Sequence, residues 1–202
     1  FYGAESVFWM SEEQKQRFFS LFPFLEKGSN IVLSSIFSKS TLEKMSSFIS
    51  ENTVKNEKYL IVGSESWIKG VTDATDYCRD NNLEYEVISG ISHQDMLRKM
   101  SESKGLVFLP RGGDTCPRTV IEAKILGCEL ILNDNVLHKD EPWFATDSVQ
   151  SVVDWVSSGP SRFWSEVLRQ LNRQPTISGY TTTHNCILQK YPFEASINSM
   201  LG

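Results

Sequence analysis

Lys58-Tyr59-Leu60-Ile61-Val62-Gly63 opens the stretch, residues 58–134, whose reading decides the fold. Gly70 to Asn82 follows as an amphipathic helix, then Glu84-Tyr85-Glu86-Val87-Ile88-Ser89, then Ser92 to Ser103 as a second helix. Gly105-Leu106-Val107-Phe108-Leu109-Pro110, the helical run Pro117 to Leu126, and Glu129-Leu130-Ile131-Leu132-Asn133-Asp134 complete the pattern. The strands are continuous apolar runs rather than polar and apolar alternations, which means a parallel sheet covered on both faces by crossover helices. Right-handed crossovers then give an α/β fold with a Rossmann-like, doubly wound parallel sheet, because four strand–helix units are too few to close a (β/α)₈ barrel.

On the N-terminal side, Ser6-Val7-Phe8-Trp9-Met10 is apolar, and Ser11-Glu12-Glu13 reads as a capped helix start with acids placed favourably for the dipole. That helix runs to about Leu21 and stops before Pro23, with Phe18, Phe19 and Phe22 as its apolar stripe. Asn30 to Phe37 reads as an apolar, β-branched run, and Lys39 to Asn52 as a helix with Leu42, Met45 and Phe48 inward. On the C-terminal side, Ser148 to Ser157 and Pro160 to Arg173 read as helices, and the periodic signal fades beyond Pro175.

Composition narrows the function classes. The chain has 202 residues, 40% hydrophobic and 22% charged, with 25 acids against 20 bases and a formal charge of −5. Disorder, collagen and coiled coil are excluded as whole-chain descriptions, and the spread of charge gives no basic footprint for nucleic acid and no polybasic membrane anchor. The longest uncharged stretch, Gln174 to Gln189, is mostly polar, so no transmembrane segment is expected. Cys78, Cys116, Cys128 and Cys186 lack CxxC spacing, which suits a reducing, cytoplasmic compartment. The sequence opens on Phe1 without a methionine or a signal-peptide start, which reads as a piece of a longer polypeptide.

In an open parallel sheet, ligands bind at the carboxyl ends of the strands. The loop after the first of these strands carries Lys69-Gly70 at a helix start, where an ammonium sits beside a phosphate or, equally, projects into solvent. Neither GxxxxGK[ST] nor GxGxxG occurs, so triphosphate and dinucleotide sites of those types lose support. The third loop reads Pro110-Arg111-Gly112-Gly113-Asp114-Thr115-Cys116-Pro117-Arg118-Thr119. Pro117 fits the first helical position, so the N–H groups of Arg118 and Thr119 are expected among the free donors that suit a diphosphate. Thr119-x-x-Glu122 also matches a capping box, which starts the helix two residues later. Glu122, a carboxylate among Val120, Ile121, Ala123, Ile125 and Leu126, reads either as a ligand for sugar hydroxyls or as an ion-paired helix acid. His93, His138 and His184 show no metal-ligand spacing and read as surface or packing residues, and no metal site is expected. Cys116 beside a helix start is a minor nucleophile candidate.

Together these residues resemble the nucleotide-sugar-binding half of GT-B-fold retaining glycosyltransferases, specifically the large family often called family 4. That family carries a G-R-x-x-x-x-K-G-like segment after a strand, and later E-x7-E followed by A-x-x-x-G. Gly63-Ser64-Glu65-Ser66-Trp67-Ile68-Lys69-Gly70 keeps the first spacing, with Ser64 where the family has arginine. Asp114 and Glu122 form D-x7-E, and Glu122-Ala123-Lys124-Ile125-Leu126-Gly127 supplies the continuation. The likeness covers roughly residues 6 to 140.

The resemblance implies three parts: residues 1–30 as the end of an acceptor domain or an interdomain linker, 31–174 as the donor-binding domain, and 175–202 as a crossing segment or linker. It implies metal-independent, cofactor-free transfer of a sugar, with retention, from a nucleoside diphosphate sugar to a glycan or glycoconjugate held by an acceptor-binding domain. Lys69 then neutralises the diphosphate, Glu122 binds the ribose hydroxyls, and Asp114 with Thr115, Cys116 and Pro117 faces the sugar. Ser64, Arg118 and Thr119 lie along the diphosphate, and Gly90, Ile91 and Ser92 flank the base. Arg118 or Arg111 is expected to replace the arginine missing at Ser64. A regulatory nucleotide-sugar-binding module without catalysis, and an unrelated doubly wound domain, are the alternatives.

Overall fold

The structure, a computed structural model, describes residues 4–51 and 54–173. The chain begins with β1 (Ser6–Trp9), α1 (Glu12–Leu21), β2 (Ser29–Val32) and α2 (Lys39–Glu51). The alternating stretch follows as β3 (Tyr59–Val62), α3 (Val71–Asp80), β4 (Tyr85–Ile88), α4 (His93–Glu102), β5 (Gly105–Phe108), α5 (Arg118–Ile125) and β6 (Glu129–Leu132). Two helices, α6 (Val149–Ser157) and α7 (Gly159–Arg173), close the described chain. The expected tail segment 175–202, with His184 and Cys186, lies outside the described residues.

All four strands of the main sheet run parallel, in the order β4-β3-β5-β6. The chain moves outward from β3 to β4, then returns to place β5 on the other side of β3. With right-handed crossovers this reversal puts α3 on one face of the sheet and α4 and α5 on the other, the Rossmann-like arrangement read from the sequence. The core shows the same division. Tyr59, Ile61 and Val107 pack with Ala74 and Cys78 of α3, whereas Leu60, Leu106 and Phe108 join Leu97 and Met100 of α4 and Val120 and Ile121 of α5. Neighbouring strand residues therefore serve opposite layers, as the pleat requires. A strand buried on both sides cannot alternate with polar residues, which is why these strands read as unbroken apolar runs.

Local chemistry places the helix starts. The hydroxyls of Ser11, Ser92 and Ser148 accept the N–H groups of Gln14, Asp95 and Ser151. Strand β2 ends at Val32 rather than running on to Phe37. Ser34 turns the chain with φ 62°, and the Val32 and Leu33 carbonyls are taken by the Arg162 guanidinium, each at 3.0 Å. Helix α5 begins one residue later than expected, at Arg118, with Pro117 in extended conformation as the residue before it.

The β1 and β2 strands form their own two-stranded parallel sheet, against which α7 is tied by one buried acid. Glu166, 4% exposed, accepts from Ser6 Oγ and Ser29 Oγ, both at 2.6 Å, and from Arg169 and Gln170. Those hydrogen bonds, the Arg169 guanidinium's above all, hold its carboxyl well below the usual carboxylate range. At the opposite end of the main sheet from the ligand-facing loops, Gly105 leaves room for the Tyr59 ring to cross β5. Tyr59 donates to Glu129 at 2.5 Å, which pushes the phenol up to about 12.

Candidate functional site

The strand order reverses between β3 and β5, the place where ligands bind in sheets of this kind, and the two loops that leave their carboxyl ends are pressed together. Gly70, with φ +67°, lies so close to the next loop that a Cβ there meets Leu109 O at 1.8 Å. Arg111 N–H also donates to Ile68 O at 2.8 Å. The glycine after Lys69 thus does two things: it turns the chain in a left-handed conformation and lets the loop after β5 come alongside.

This closeness brings Lys69 and Asp114 together, 45 positions apart in sequence, with Nζ 2.8 Å from Oδ2. Lys69 Nζ also lies 5.9 Å from the centre of the Phe108 ring. Asp114 is held by its backbone: its N–H donates to Asn135 O at 2.7 Å and its carbonyl accepts from Leu137 at 3.0 Å. Asn133 and Asn135 side chains both donate to Pro110 O, anchoring the same loop from β6. Thr115, Cys116 and Pro117 then lead into α5. Ser35 Oγ donates to Cys116 O at 2.9 Å, fixing the loop against the segment after β2. Cys116 is buried, and burial pushes its thiol up to about 11. It is therefore a protonated packing group at neutral pH, and the nucleophile reading fails.

Pro117 gives the start of α5 no side-chain cap, and no other side chain among the described residues is seen to supply one. The first-turn N–H groups of Arg118 and Thr119 have no intrahelical acceptor, by the geometry of a helix start. Thr119 sits inside the first turn rather than before it, so the capping box is not formed, and Glu122 turns elsewhere. Its carboxylate is 1% exposed, 2.9 Å from His93 Nε2 and 3.9 Å from Arg118 Nη2. Arg118 in turn lies over the Phe37 ring, 4.6 Å from its centre.

Several predicted residues stand apart from this pair of clusters. Arg111 forms a two-point ion pair with Asp73 of α3, at 2.5 and 3.0 Å, and its hydrogen bonds hold the Asp73 carboxyl low. The Arg111 guanidinium is thereby committed to the α3 side, which leaves Arg118 as the cation beside the start of α5. Ser64 is exposed, and its hydroxyl accepts from Ser66 N–H. Gly90, at φ +66° with open space around it, and Ile91, 40% exposed, form the loop before α4; the Ser92 hydroxyl is spent on capping that helix. Trp67, 70% exposed, projects from the loop after β3.

Sequence reasoning missed two contributors. His93 had only its position after β4 to announce it, and Phe37 was read as strand. Neither contact has a spacing signature, because each joins elements far apart in the chain. Among the described residues no cluster of three or more His, Cys, Asp or Glu side chains is arranged to hold a metal ion. His138 is fully buried between Trp143 and Phe144, far from any such role. No helix among the described residues is long and apolar enough to cross a membrane. No protein-family model matches this chain, and no curated protein sequence matches it.

Proposed function

We propose that this chain is the donor-binding domain of a retaining, metal-independent glycosyltransferase that takes a nucleoside diphosphate sugar. The observation that carries the reading is the pairing of Lys69 with Asp114 on the loop that leads into the uncapped start of α5, where β3 and β5 diverge. An ammonium beside free helix-start N–H groups is a site for an anion bearing two phosphates. Lys69 exchanges its Asp114 partner for the diphosphate when donor enters. Asp114 is then released toward the sugar, and Glu122, deeper along α5, accepts hydroxyl hydrogens of the ribose. As the glycosidic bond breaks, charge grows on the leaving diphosphate. Lys69, Arg118 and the α5 dipole stabilise that charge in the transition state. The acceptor, a glycan or glycoconjugate, is held by an acceptor-binding domain in the same polypeptide or a partner.

A second reading, a nucleotide-sugar-binding module without transfer, is favoured by Ser64 standing where the resembled family has arginine and by the engagement of Arg111 with Asp73. Two experiments separate the readings. Titration calorimetry and thermal shift with UDP-, GDP- and ADP-sugars test donor binding, and Lys69→Ala is expected to weaken the preferred donor by about tenfold or more. Stabilisation by none of them leaves an unrelated doubly wound domain. Release of nucleoside diphosphate from the bound donor in the presence of glycan acceptors identifies the transferase, and binding without release identifies the module.

A further inference from the structure

We propose that His93 is the positioning residue for Glu122, and that it sets the recognition of the ribose diol; this rests on the donor-site reading above. Glu122 lies on α5 between fully buried apolar neighbours, Val120, Ile121 and Ala123. An ionised carboxylate in such surroundings is costly unless a donor reaches it. Among the described residues the side-chain donor within hydrogen-bond distance is His93 Nε2 at 2.9 Å, whereas Arg118 Nη2 at 3.9 Å is beyond that range. A carboxylate only accepts, so Nε2 carries the hydrogen of this bond.

The placement of His93 is built by its own helix start. Gly90 turns the chain with φ +66°, Ser92 caps α4, and His93 is the first helical residue, carried directly above the buried acid. Its side chain is 51% exposed, so packing does not account for it: the imidazole meets the carboxylate through one oxygen. The choice of residue has a chemical consequence. Arginine at this place takes both carboxylate oxygens in a fork, while imidazole supplies one N–H to one oxygen. Acceptor capacity is therefore left for two vicinal hydroxyls, the pattern a ribose offers. His93 fixes the rotation of the carboxylate and so decides which lone pairs meet the diol.

The test uses the full chain and measures affinity for UDP, GDP and ADP, and for the 2′,3′-dideoxy counterpart of whichever binds. His93→Ala is expected to weaken the ribonucleotide by about tenfold and the dideoxy form not at all, while His93→Gln, whose amide nitrogen reaches the place of Nε2, restores most of the loss. A residue that merely holds the fold lowers both affinities together. Equal losses for the two nucleotides, or no loss for either, overturn the assignment of His93 while the donor site stands. Absence of binding by the unaltered chain to all three nucleotides overturns the donor site itself, and the role of His93 with it.

Discussion

Acidification from pH 7 to pH 5 is expected to cost this chain about 2 kcal/mol of stability through one residue, His138. The imidazole is fully buried, stacked on Trp143 with centres 5.5 Å apart and met edge-on by Phe144 at 4.5 Å; neither ring nitrogen has a hydrogen-bond partner among the described residues. Burial in this aromatic box lowers its pKa from the ordinary 6.5 to about 4. A histidine lowered in this way stays neutral in the folded protein while the unfolded chain takes up a proton. Its contribution is present above pH 6.5 and is lost as pH falls toward 4. At about 1.4 kcal/mol per pH unit the full loss is about 3 kcal/mol, of which about 2 has gone by pH 5. The neighbouring acids do not mimic this. Glu166 titrates below the window, and Glu141, raised by burial, gains relative stability as pH falls. The assay is thermal unfolding at pH 7 and pH 5. The unaltered chain should lose roughly 4–8 °C. His138→Phe, which keeps the ring stack and removes both unpartnered nitrogens, should lose much less. If His138→Phe loses as much as the unaltered chain between the two pH values, the assignment to this imidazole is wrong.

Three further outcomes are expected. Glu166→Ala leaves the Ser6, Ser29 and Gln170 groups without their shared acceptor and should destabilise by about 3 kcal/mol in urea unfolding. Because the Glu166 carboxyl is held low, its contribution is present above pH ~4.5 and disappears as pH falls below that, so the variant should lack this part of the acid sensitivity. Gly70→Ala forces a methyl to within 1.8 Å of Leu109 O at a left-handed φ, and should lower the melting temperature and donor affinity together, since it separates the two loops that form the site. Arg118→Ala should weaken donor binding by about tenfold, while Arg111→Ala should change it by less than about twofold, because its guanidinium serves Asp73; calorimetry on both variants decides between the two cations.

The fold was legible because its causes are local and periodic. The apolar runs at Tyr59–Val62 and Gly105–Phe108 announce strands buried on both sides, and Ser11 and Ser92 announce helix starts by capping chemistry. The exceptions were also instructive. Strand β2 was read too long because a left-handed serine and an arginine 130 positions away end it, and neither leaves a mark in an apolar pattern. Thr119 and Glu122 matched a capping box by spacing alone, yet the helix starts before them and Glu122 bonds across to another helix.

At the site, the sequence by itself determined which loops to search, since strand order in a doubly wound sheet sends ligands to the carboxyl ends. It also placed Lys69, Asp114 and Glu122 on those loops and the helix that follows. Only the tertiary structure decided their partners: Lys69 with Asp114, Glu122 with His93 rather than a cap, Arg111 turned to Asp73, and Cys116 buried as a thiol. The physical reason is the same in each case. Spacing along a chain fixes what shares a helix face or a strand end. A hydrogen bond of less than 3 Å between residues 29 or 45 positions apart depends on how closely neighbouring helices or loops pack, and for Lys69 and Asp114 the approach of Gly70 to Leu109 sets that distance.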